Sequence, residues 1–316
     1  MPLSALAPAR GRGGPAARGR RRAPPPRGPP ARPCPAPPRA RGGAADEPSE
    51  AARALQDVFA SLRQVMERAQ APAAGPPAAR VLVQGVSYQP PGCPEPLLRG
   101  VGIDLPPNSV GLIYGRSGAG KTTLLNIVAG LAEPTAGAVS LAAGGEAPRA
   151  MGDVERGERA GMVFQFPERH FIGATLGAEL TLSWPRDADA FARQARAQRL
   201  LAVLRKVGLD PQRFPLDLDP RVLSDGYKRR LALAAQLVRG PGLLLLDEPL
   251  AGLDFAVRGE LVALLGELRS QCTLLIVSHD LRELAPLVDR AWEMTPGGVL
   301  EPRDVADLPV APPPPG

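Results

Sequence analysis

The stretch GRSGAGKTT at 115–123 leaves this chain few folds to choose from. Its pattern, Gly-x4-Gly-Lys-Thr, requires a strand before it and a helix after it. Backbone N–H groups must turn inward around phosphate oxygens and then run into a helix N-terminus. Residues Gly115, Arg116, Ser117, Gly118, Ala119, Gly120, Lys121, Thr122 and Thr123 are therefore assigned to a phosphate-binding loop. Lys121 supplies positive charge to the β- and γ-phosphates, and Thr122 offers a hydroxyl to Mg²⁺. The chain has three lysines against 35 arginines, so a lysine at this position is informative.

The surroundings agree with the motif. Runs at 81–88, 100–105 and 109–115 read as strands, with a helix from about Gly120. Another strand is expected at 161–165, helices around 174–182 and 188–207, and a helix from near Ser224 to the Gly240-Pro241 break. LLLLDE (243–248) and TLLIVSHD (273–280) are continuous apolar runs of strand length, as parallel strands buried on both faces require. This order predicts an α/β P-loop nucleotide-binding domain over 80–302 with an inserted helical subdomain. LLLLDEP places Asp247 at a strand end, where it would hold Mg²⁺, with Glu248 beside it to polarise an attacking water.

Composition divides the rest. Residues 1–45 hold ten arginines, twelve prolines and no acid, so they form no regular helix or strand. Those ten charges exceed the net +6 of the whole chain, leaving residues 46–316 at −4. A basic surface that would track nucleic acid is not expected on the folded part. The arm has the arginine-rich, acid-free character of an organelle transit peptide. Over 50–69, Leu55, Val58, Phe59, Leu62, Val65 and Met66 recur at helical spacing, predicting an amphipathic helix. A linker is expected at 71–79 and a loose tail at 303–316. No apolar run reaches the length of a membrane span, and Cys34, Cys93 and Cys272 make no metal-binding pair.

LSDGYKRRLALA (223–234), 23 residues before Asp247, resembles the LSGGQ signature of the ATP-binding cassette (ABC) family. Ser224 and Gly226 match; Asp225 and Tyr227 depart from it. The resemblance covers residues 80–300 and implies that the signature of one subunit covers the ATP held by the phosphate-binding loop of a second. Asp225 would then weaken that closure unless its side chain turns away. The resemblance also implies roles for Gln165 in VFQFPE as a loop glutamine that joins Mg²⁺ to the interface, and for Asp254 in AGLD as the loop between two ATP sites. His279 in IVSHD becomes the γ-phosphate switch histidine, and Tyr88 stacks on adenine. His170 receives no role.

Within the family, VFQFPE resembles the ATPases of energy-coupling-factor and cobalt-type importers. SDGYKRRLALA, DEPLAGLD and SHDLRELA look closer to the chloroplast-targeted, non-intrinsic ABC proteins. The expectation is an ATPase subunit of a multi-subunit importer, with a metal ion as the cargo the resemblance suggests, using ATP and Mg²⁺ and pairing with a second ATPase subunit and an integral membrane subunit. Its expected location is the stromal side of a plastid membrane, with the mitochondrion as the alternative address. The other functional reading is a soluble ABC ATPase in cofactor or iron–sulfur assembly. The 103 residues from Lys121 to Ser224 are too few for the coiled coil of chromosome-organising members, and a guanine-reading NKxD motif is absent.

Overall fold

The computed structural model describes residues 77–184 and 190–309. The arginine-rich arm, the expected 50–69 helix, most of the linker and the end of the tail lie outside them. In chain order the strands are β1 (Ala79–Tyr88), β2 (Leu98–Leu105), β3 (Val110–Gly115), β4 (Ala136–Ala143), β5 (Ala160–Val163), β6 (Leu243–Asp247), β7 (Thr273–Val277), β8 (Arg290–Thr295) and β9 (Val299–Arg303). The helices are α1 (Lys121–Val128), α2 (Asp153–Arg159), α3 (Leu176–Thr181), α4 (Ala190–Lys206), α5 (Asp225–Leu237), α6 (Phe255–Leu268) and α7 (Leu281–Leu284).

Two sheets result. One is antiparallel with order β2-β1-β4, and the other has order β5-β6-β7-β3-β8-β9, parallel except for its last pair. Every residue of β6 and β7 is buried, because the second sheet is covered on both faces. Alternation along the strands splits the core in two. Leu112, Leu244, Leu246, Leu274 and Ile276 pack with Leu180, Leu200, Leu204, Leu231 and Leu265 from the helices. Ile113, Leu243, Leu245, Leu275 and Val277 face the other way, onto Leu124, Leu125 and Ile127 of α1 and Val81, Val83 and Ile103 of the smaller sheet.

The register of the parallel strands positions the site. Ile113 and Asp247 both lie opposite Val277, and Val163 lies opposite Leu246. The chain therefore leaves all four strands at one edge, delivering the 115–120 loop, Gln165, Glu248 and His279 to the same place.

Several expectations need correction. β7 ends at Val277, so Ser278 and His279 belong to the following loop and not to the strand. Ala79, assigned to the linker, is a buried strand residue whose N–H donates to Gly242 O at 2.9 Å. Residues 303–308, assigned to the tail, are ordered: Arg303 ends β9, Asp304 caps a short turn at Val305–Asp307, and Leu308 is buried in the core. β4, α2, α6, β8 and β9 were not anticipated from the sequence. β4 is built largely of Ala and Gly, whose weak hydropathy hides the strand period.

Leu246 is fully buried between sheet and helices. Leu246→Ala should cost about 2–5 kcal/mol of unfolding free energy, measured by urea denaturation, with an unchanged m-value.

Candidate functional site

The 115–120 loop has three glycines at positive φ, Gly115, Gly118 and Gly120, and two of them also have no room for a side chain. Gly115 has φ 139°, and a Cβ there would stand 2.3 Å from Met294 O. Gly120, at φ 101°, is the N-cap of α1, and its Cβ would meet Leu98 Cδ2 at 2.7 Å. No other residue fits either position. Lys121 follows and donates from Nζ to Gly115 O at 2.8 Å and Arg116 O at 2.9 Å, which holds the ammonium across the loop.

The loop borders a cleft of about 530 Å³ lined by Gly115, Ser117, Gly118, Gly120, Lys121, Thr122, Thr123, Gln165, Asp247, Glu248 and His279. Thr122 Oγ1 donates to Asp247 Oδ2 at 2.8 Å. Burial pushes the Asp247 carboxyl above the usual carboxylate range, and the charge of Glu248 adds to this. The Thr122 hydroxyl and Lys121 oppose the shift. A buried carboxylate beside a hydroxyl, with a glutamine in the same cleft, is a set of hard oxygen donors that suits Mg²⁺.

Glu248 is held tightly. Its backbone adopts φ 47°, an uncommon conformation for a side chain of this size. Its N–H donates to Val277 O at 2.8 Å. Oε1 lies 2.7 Å from His279 Nδ1, and Oε2 accepts from Ser278 Oγ at 3.1 Å and from His279 N at 3.3 Å. The His279 ring is 68% exposed, so it can follow a ligand while its Nδ1 side stays on the carboxylate.

Six of the expected residues do not line the cleft. Arg116 is exposed and contributes its carbonyl to Lys121, and Ala119 packs on the core behind the loop. Tyr88 is half-buried, and its carbonyl accepts from the N–H of Leu97, which is a cleft residue. Ser224 and Gly226 lie at the start of α5, and Asp254 caps α6 by accepting from Val257 N at 3.0 Å. Ser224 is exposed and makes no side-chain capping bond. A Cβ on Gly226 would meet Val257 Cγ1 at 2.7 Å, so the signature is packed against the first turn of α6, just after the 251–254 loop. Asp225 Oδ1 pairs with Lys228 Nζ at 3.1 Å along its own helix.

Sequence reasoning missed Leu97, Ser278 and Arg229, and left His170 without a role. Leu97 carries no pattern that would have marked it. Arg229 is buried and donates to Phe164 O at 3.1 Å and Ala251 O at 3.0 Å, tying α5 to the residue before Gln165 and to the AGLD loop. Burial lowers its pKa, and the carboxylates of Glu168 and Asp225 counter this. His170 stacks on Phe164 at 4.3 Å. An arginine on the buried face of a helix was the available signal for Arg229.

The fold and this cleft define a P-loop nucleotide-binding cassette. An ABC transporter profile matches residues 98–251. ABC transporter I family member 11, chloroplastic, from Arabidopsis thaliana is 49% identical over 221 residues, 69% of this chain and 79% of that protein. The energy-coupling factor transporter ATP-binding protein EcfA2 of Symbiobacterium thermophilum is 36% identical, over 63% of this chain and 68% of its own. Among solved structures, cbiO1 of Clostridium perfringens, described as part of the transporter complex cbiONQ, superposes with TM-score 0.60 and 25% identity over 71% of this chain and 87% of its own. A dimeric ATP-binding cassette solved after hydrolysis with ADP and Pi gives TM-score 0.58 and 26% identity over 71% and 98%. The chain belongs to the ABC transporter family and is an ATP-binding ATPase cassette.

Because its folded carboxyl titrates above the unfolded value, ionised Asp247 costs stability at neutral pH. That cost disappears as pH falls through the folded pKa. Asp247→Asn should therefore raise the nucleotide-free melting temperature at pH 7 by about 2–4 °C and flatten this part of the pH profile. The same variant should lose the extra thermal shift that MgCl₂ adds to ATP.

Proposed function

We propose that this chain is the ATP-hydrolysing subunit of a multi-subunit importer, with a metal ion as its cargo. The observation that carries the catalytic part is the cleft itself. Lys121 lies beside two carboxylates that differ in environment, Asp247 bonded to Thr122 and Glu248 bonded to His279.

Lys121, the loop N–H groups and the N-terminus of α1 would bind the phosphates, and Tyr88, joined to the cleft through Leu97, would present its ring to adenine. Thr122, Asp247 and Gln165 would hold Mg²⁺, which when bound neutralises phosphate charge. Glu248 takes the role of orienting the attacking water and accepting its proton. Its hydrogen bonds from Ser278 and His279 fix the carboxylate in one orientation, and His279 carries its exposed ring edge toward the γ-phosphate. Ser224, exposed at the N-terminus of α5, and the half-buried Gly226 two residues on, both outside this cleft, would close over the nucleotide of a second cassette, homologous or identical. Asp254 would face that interface.

Among the described residues no helix is long and apolar enough to cross a membrane, so an integral membrane subunit would supply the pathway. Phe166, 39% exposed beside Gln165, would lie against it. The chloroplastic name of the Arabidopsis relative supports a plastid location on the stromal side, with the 1–45 arm as its transit peptide.

Glu248→Gln should lower ATP turnover by at least about 100-fold while leaving nucleotide binding intact. It should also yield ATP-dependent dimers by size exclusion. Full turnover in that variant removes Glu248 from its role. A photo-crosslinker at position 166 should capture an integral membrane protein in plastid membranes. Capture of soluble assembly factors alone would favour the cofactor-assembly reading.

A further inference from the structure

Arg258 stands four residues after Asp254 on α6, outside the nucleotide cleft, and its guanidinium reaches in two directions. Nε donates to Leu253 O at 2.9 Å, on the AGLD loop. One terminal nitrogen donates to Asp280 Oδ1 at 2.9 Å and lies 3.7 Å from Glu283 Oε1. Asp280 in turn donates its backbone N–H to Ser278 Oγ at 3.0 Å, and Ser278 Oγ donates to Glu248 Oε2 at 3.1 Å. Ser278 is fully buried, so its hydroxyl has no solvent to turn to. A continuous line of hydrogen bonds therefore runs from the AGLD loop to the carboxylate of Glu248.

We propose that Arg258 is a positioning residue that transmits the placement of the 251–254 loop to Glu248 through Asp280 and Ser278. The inference rests on the reading of Glu248 as the residue that orients water. Two features make the link stiff. The planar fork of arginine holds a carbonyl and a carboxylate at once, which a lysine ammonium does with poorer geometry. The other Asp280 oxygen, Oδ2, is buried without a hydrogen-bond partner. Without Arg258 the Asp280 carboxylate, 15% exposed and with Oδ2 already unpartnered, loses the hydrogen bond on Oδ1 and shifts toward solvent. That shift takes its N–H off Ser278 and frees the hydroxyl that aims Glu248. Displacement of the 251–254 loop by a docking subunit pulls on the same line from its other end.

The test is steady-state ATP hydrolysis and fluorescent-ATP binding on the full chain, with thermal melting as the folding control. Arg258→Gln and Ser278→Ala should each lower kcat about 10-fold with KM and nucleotide affinity within about 2-fold. The double variant should lose no more than either single one, because both cut one line. Arg258→Lys, keeping the charge opposite Asp280, should recover part of kcat. If Arg258→Gln does not fold, the Arg258→Lys and Ser278→Ala pair reports the same non-additivity. An unchanged kcat, a loss confined to KM, or a double variant down about 100-fold overturns the proposal. Glu248→Gln is assayed alongside: turnover surviving there refutes the reading of the cleft, whereas its loss together with an active Arg258→Gln refutes only the relay.

Discussion

The site depends on the register of the parallel sheet. Asp247 and Ile113 face the same residue of β7, Val277, from its two sides. A slip of one residue in β6 would turn Asp247 from the cleft face to the opposite face of the sheet. It would also invert Leu243 to Leu246 between the two cores. Because both cores are closed against helices or against the smaller sheet, that inversion would strand four leucines in the wrong packing. The hydrophobic cost that fixes the fold thus also fixes the spacing between Thr122 and Asp247.

The cleft contains local arrangements that are unfavourable on their own. Glu248 sits at positive φ, Asp247 is an ionisable group driven up by burial, and just behind the cleft Asp280 Oδ2 has no partner. Such features cluster where chemistry needs a preset geometry, and rigid surroundings must hold them. Here the surroundings are the fully buried strands β6 and β7, whose last residues are Asp247 and Val277. Glu248 N bonds back to Val277 O, so the strained residue is tied to the next strand as the chain leaves the sheet.

The motif-bearing parts of this architecture were legible because their constraints are local. A glycine loop needs its glycines wherever it folds, and an unbroken apolar run such as LLLLD has to be a strand buried on both faces. Strand ends were less legible: TLLIVSHD reads as one run, although the apolar stretch stops at Val277, where the strand ends, and Ser278, His279 and Asp280 are polar. The residues that join the motifs were the least visible. Arg229, Arg258 and Ser278 each reach a partner distant in sequence: Arg229 to Phe164, Arg258 to Asp280 and Ser278 to Glu248. Arg229 carries one local signal, its place on the buried face of a helix; nothing in the immediate sequence marks Arg258 or Ser278. Weak strands such as β4, rich in alanine and glycine, take their place from pairing with β1 along most of its length.

Asp225 shows how a departure from a motif can be absorbed locally. Its negative charge within the signature raised the question of repulsion from a triphosphate. In the structure the carboxylate lies in the first turn of α5 and turns to Lys228, three residues on. Both interactions favour it: the helix N-terminus attracts an anion, and the ammonium supplies a counter-charge. The pair is close to neutral, and because Asp225 is 77% exposed, solvent screens what remains. Ser224, one residue earlier and outside the helix, keeps a hydroxyl free of any capping bond on the exposed side. Tyr227 is turned inward, its ring against Phe214 at 4.5 Å. The two residues that depart from the signature are thus engaged with their own domain, and the two that match it occupy the exposed helix start and the close contact with Val257.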